Sequence, residues 1–150
     1  MSAIVEGRSL VGIAVPFNQW AEINEPPISY RERFLPDSVE VSPSTTLRIG
    51  HAAQGVPLAR VGAGTIRFES TAEGLQFRAD LPESRGDLIE ALERGDLDGS
   101  VSIGFVKVRD VKKPAPRSSV AYLRTVQSAY LDHLAIVERP AYAGAKSRLI

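Results

Sequence analysis

Apolar and polar residues alternate at a period of two along most of this chain, the spacing of strands that bury one face. ISYRERF (28–34) shows it plainly, and TIRFES (65–70) and LQFRAD (75–80) show it on either side of TAEG (71–74), whose residues suit a hairpin turn. SLVGIAVPF (9–17), TTLRIGH (45–51), GSVSIGFV (99–106), VAYLRT (120–125) and AYLDHLAIV (129–137) read as further strands, the last leading to a turn at Pro140. NQWAEINEPP (18–27), AAQG (52–55) and KKPAPRSS (112–119) read as loops, and FLPDSVEVSP (34–43) as a short helical turn with Pro36 at its start and Pro43 after its end. In ESRGDLIEALERGDL (83–97) the pattern changes to helical: Leu88, Ile89 and Leu92 share a face, Glu83 and Asp87 sit near the start, Arg94 lies near the end and Gly95 terminates it. About eight short strands with one or two helices predict a mainly β fold, a closed or nearly closed antiparallel β-barrel without exposed strand edges. Neither an internal repeat nor a domain boundary interrupts the pattern, so residues 1–150 form one expected domain.

Composition narrows the function classes. A chain of 150 residues can bury roughly 68 to 70% of its unfolded surface and needs no staples. There are no cysteines, which excludes disulfides, thiolate zinc sites and thiol redox chemistry. Eighteen basic residues balance eighteen acidic ones without a long run of one sign, an unpromising composition for nucleic-acid binding. The apolar run of MSAIVEGRSLVGIAV follows Glu6 and Arg8 and stops at Pro16, too short for a signal core or a membrane span. A soluble intracellular protein without membrane partner is the expectation.

Candidate chemistry begins at GSVSIGFV. Period two places Val101, Ile103 and Phe105 on a core face and Ser100, Ser102 and Gly104 on the other, where small side chains leave room beside a hydroxyl for another side chain or a substrate backbone. A serine nucleophile needs a base of near-neutral pKa, and the chain has two histidines, His51 and His133. Local pattern leaves both open: His133 shares its strand face with Leu131, Ala135 and Val137, as a partly buried structural histidine would, and His51 at a strand end could equally be a solvated loop residue. Two histidines without His-x-x-x-His spacing make a metal site an unpromising reading, and no cofactor motif is present.

The segments FLPDSV, IGHAAQGVPLARVGAGTIRFESTAEGLQFRADLPES, ERGDLDGSVSIGFV and HLAIVERPAY, in this order, resemble the prohead maturation serine proteases of tailed bacteriophages, over nearly the whole chain from GIAVPFNQW onward. The resemblance implies a barrel similar to the herpesvirus assembly protease. It also implies a place inside the phage procapsid in the bacterial host cytoplasm, where the enzyme cleaves scaffold or the scaffold-like segment of the capsid protein, with self-cleavage and a homodimer as further expectations. Carried over residue by residue, Ser102 matches the nucleophile and His51 the general base. Two positions depart from the family pattern, since acidic residues are common where this chain has Ala52 and His133. The order His51, Ser102, His133 then resembles the Ser-His-His set of herpesvirus assembly proteases. A neutral third member offsets a developing imidazolium less than a carboxylate would, so a slow protease is expected.

Asp132 is the fallback orienter, although period two points it away from the His133 face, and Asp80 is a more distant candidate. Arg139 is the oxyanion donor by the same resemblance, or else a surface cation paired with Glu138. Arg60, Arg94 and Asp96 read as structural, and Trp20, Tyr30, Phe34 and Phe68 as core. Two rival functions use the same residues, a non-catalytic barrel serving as capsid or scaffold component and an esterase-type acyl-transfer enzyme; the Gly-x-Ser-x-Gly elbow of common esterases is absent.

Overall fold

The computed structural model describes residues 8–51, 55–139, 141–142 and 144–149. The residues before Arg8, most of the AAQG loop and Pro140 lie outside them. The element order is β1 (Ser9–Pro16), β2 (Ala21–Glu25), β3 (Ile28–Phe34), β4 (Val39–Ile49), β5 (Ala59–Arg60), a 3-10 turn at Val61–Ala63, β6 (Ile66–Ser70), β7 (Gly74–Asp80), helix α1 (Gly86–Arg94), β8 (Val101–Pro114), β9 (Tyr122–Ile136) and β10 (Ser147–Leu149). The predicted hairpin is β6–β7, in antiparallel register from Ile66↔Ala79 to Ser70↔Leu75. Helix α1 ends where Gly95 takes the left-handed conformation at φ 85°, as its place in the sequence requires.

The closed antiparallel barrel does not form. The described strands make two open sheets, one ordered β10-β1-β7-β6 and the other β2-β3-β9-β4-β5 with β8 against β9. The reason lies in β9. VAYLRT and AYLDHLAIV are not two strands, since Tyr122–Ile136 runs unbroken and is long enough to take two partners in succession along one edge. Strand β3 pairs with its first half and β4 with its second, and both pairings are parallel. Strand β8, extending through Lys112 and Lys113 to Pro114 where a loop was expected, covers the other edge in antiparallel register. Among the described strands, edges therefore remain at β2, β5, β6, β8 and β10, and one isolated bridge, Ser100↔Lys146, joins the chain entering β8 to the chain entering β10.

Two further segments differ from expectation. Val39, Glu40 and Val41 of FLPDSVEVSP already belong to β4, which absorbs Pro43 at an irregularity between Val41 and Thr46. Within NQWAEINEPP, expected as a loop, AEINE (21–25) forms β2, paired with β3.

The core fills the space between the sheets with Leu10, Phe34, Leu47, Ile66, Val101, Val126, Leu134 and Ile136, each at most 2% exposed. Each such side chain contributes about 1.5–3 kcal/mol of burial. Tyr30 and Phe34 are core as expected, whereas Trp20 is 41% exposed with the Arg33 guanidinium 4.7 Å from its ring centroid. One carboxylate enters this interior. Glu32, only 2% exposed, is held by Arg124 at 3.0 Å, its register partner on β9, and by the Tyr142 hydroxyl at 3.0 Å. Burial raises the Glu32 pKa and the Arg124 charge opposes that rise.

Candidate active site

Register sets the site on the outer face of the larger sheet. Opposed residues on neighbouring strands point to the same side, so Ser102↔Ala135↔Arg48 form one row across β8, β9 and β4, and Gly104↔His133↔Thr46 form the next. Ser102 and His133 are thus diagonal neighbours, typically 7–8 Å apart. The turn into β8 is fixed by Gly99 at φ 83°, whose carbonyl accepts hydrogen bonds from the Ser147 backbone N–H and hydroxyl, both at 2.8 Å.

Gly104 makes the room that the small face of GSVSIGFV implied, and it makes it for an imidazole. A methyl group at Gly104 would collide with the His133 ring, reaching within 2.6 Å of Nδ1 and 2.7 Å of Nε2. Strand β8 therefore accommodates the His133 ring in the gap that Gly104 leaves.

The strand order is broken at Asp132. Between Gly104↔His133 and Phe105↔Leu131, β8 advances one residue and β9 advances two, which makes Asp132 the extra residue of a β-bulge. Bulges re-aim side chains. Asp132, which regular alternation would point away from His133, instead accepts a hydrogen bond from His133 Nδ1 at 2.8 Å. His133 Nε2 in turn lies 2.8 Å from His51 Nδ1. A carboxylate only accepts, so Nδ1–H of His133 donates to Asp132, Nε2 of His133 accepts, and Nδ1–H of His51 donates to it. The remaining nitrogen, His51 Nε2, is left with a free lone pair. The rings meet edge to face with centroids 5.0 Å apart. Partial burial, and then the neighbouring His133, lower the His51 pKa, which favours the neutral ring.

The structure thus brings His51 and His133 together, adds Asp132 behind them and sets Ser102 on the same face. Among the described residues no hydrogen bond joins the Ser102 hydroxyl to either ring, a looseness common before substrate binds. Arg139 is exposed beyond β9, and none of the described hydrogen bonds or ion pairs includes it. Asp80 lies on the other sheet, where it accepts a hydrogen bond from the Ser9 hydroxyl at 3.0 Å. Arg94 pairs with Asp96 at 3.3 Å on the exposed surface at the end of α1.

Sequence reasoning missed Arg48. Half-buried in the Ser102 row, with only the Ala135 methyl between them, it donates to Thr46 Oγ1 at 3.1 Å and to the Gly55 carbonyl at 3.4 Å. Its place three residues before His51 in the segment TTLRIGH was the available signal. No group of three or more histidine, aspartate or glutamate side chains among the described residues is arranged to hold a metal ion.

A serine on an open face, backed by a hydrogen-bonded imidazole pair ending in a carboxylate, has the components of a serine hydrolase. The family description "Caudovirus prohead serine protease" matches residues 2–149, and the chain belongs to that family. Searches of curated proteins and of solved structures return no match.

Proposed function

We propose that this protein is an endopeptidase of phage procapsid maturation in which Ser102 is the nucleophile, His51 the general base, and His133 with Asp132 the positioning relay. The observation that carries the assignment is the unbroken chain Asp132–His133–His51, which leaves a basic nitrogen on the face of Ser102. His51 Nε2 removes the Ser102 proton as Oγ attacks the scissile carbonyl. The imidazolium that forms is stabilised through His133 by the Asp132 carboxylate, so the neutral third residue is compensated one position further out. The same Nε2–H then protonates the leaving amine, and water repeats the sequence to release the acyl group.

The oxyanion is placed toward the Arg48 side of Ser102. The two α-carbons are two strand spacings apart, roughly 10 Å, a gap that a long cationic side chain spans. Arg139 remains a second donor, its backbone or guanidinium approaching from the end of β9.

The substrate in this reading is scaffold or the scaffold-like segment of the capsid protein, met inside the procapsid, with self-cleavage as a side reaction. Co-expression with the capsid precursor, followed by mass spectrometry of the assembled particles, tests it. Shortened capsid protein with the native enzyme and full-length precursor with Ser102→Ala is the expected result. Equal processing by both would overturn the assignment.

A further inference from the structure

The outer face of the smaller sheet holds a groove of about 910 Å³ that the catalytic reading does not use. Register places Arg148, Val11, Arg78 and Arg67 in one row across β10, β1, β7 and β6. Lys146 and Glu69 flank the following row on either side of Ile13. The four cations and Glu69 are exposed, while Val11 and Ile13 form a half-buried apolar floor. Arg67 lies directly opposite Arg78, and like charges so paired destabilise a sheet. No ion pair among the described residues includes any of the four. A charge row that costs stability and gains no internal partner is the kind of local conflict that binding sites tolerate.

We infer that this groove binds an acidic, extended segment of the protein substrate. Guanidinium groups in a cross-strand row suit the carboxylates of Asp and Glu side chains, and the Val11–Ile13 floor suits intervening aliphatic ones. Nucleic acid fits less well: Glu69 stands within the row's reach and the chain carries no net charge. A backbone bridge from Lys146 to Ser100, two residues before Ser102, ties the rim of the groove to the chain entering the strand that carries the nucleophile. The role as a substrate anchor rests on the protease reading; the binding itself does not.

The test uses the full chain with Ser102→Ala and a fluorescein-labelled peptide of alternating Glu and Val, read by anisotropy. Saturable binding that weakens at least about tenfold with Arg67→Glu plus Arg78→Glu, and weakens as salt rises, is expected. A melting temperature no lower than the parent's shows that the variant folds. Absent binding, binding that ignores both substitutions, or tighter binding of an equally charged oligothymidine would each overturn the inference. Serine labelling of the native chain is measured separately: labelling without peptide binding removes the groove and keeps the protease, and binding without labelling does the reverse.

Discussion

His133 occupies the space above the α-carbon of Gly104, its register partner across β8 and β9. A methyl there must displace the ring or the strand, since Nδ1 and Nε2 would lie 2.6 and 2.7 Å from it. Displacement of the ring breaks its bonds to Asp132 and His51 together. Gly104→Ala is therefore expected to reduce the rate of Ser102 acylation about 10²-fold while costing about 1–3 kcal/mol of stability. Stopped-flow acylation beside urea unfolding separates the two; full activity in the alanine variant would show that the ring's position does not matter.

The relay predicts a graded series. His51→Ala removes the base and abolishes acylation. His133→Ala leaves His51 to water and costs less than the roughly 10⁴ typical of losing a triad carboxylate. Asp132→Asn acts through two rings and costs about 10- to 100-fold. Equal and total loss in all three, with folding matched, would contradict this division of labour.

Acylation should rise with pH along a limb governed by His51, with its midpoint below the ordinary histidine value of about 6.5. The same shift has a consequence for stability. Folded His51 binds its proton more weakly than unfolded His51, so this contribution is fully present above the unfolded pKa and is lost as pH falls through the folded one. A rate profile with its midpoint above the unperturbed value would count against a lowered base.

Arg124→Leu leaves the buried Glu32 carboxylate without its cation. A loss of about 3–5 kcal/mol is expected at neutral pH. Burial already raises the Glu32 pKa, and the folded state holds that proton more tightly than the unfolded one, so acid should shrink the deficit by protonating Glu32. Urea titrations of native and variant protein across the acid range measure this; a deficit that grows on acidification would contradict it.

Local features were legible in the sequence because local rules decide them. The β6–β7 hairpin announces itself through alternation and a four-residue turn, α1 through its glycine terminator, and the β8 face through its small residues. The sheet arrangement was not legible, because alternation is the same in parallel and antiparallel strands, and only the length of β9 determines that β3 and β4 share one edge. At the site, both histidines and Ser102 were identified from residue type and resemblance. Asp132 is legible only as the fallback orienter, because regular alternation points it away from the His133 face, and the bulge that re-aims it leaves no mark in the sequence. Trp20 was read as core from its type alone, yet it lies at the surface under Arg33.

Activation of Ser102 by His51 is read out by intact-mass labelling with a fluorophosphonate at neutral pH. One adduct on the native chain, and none on Ser102→Ala or His51→Ala, is the predicted result. A folded native chain that takes no adduct, or an adduct that survives in Ser102→Ala, would contradict it.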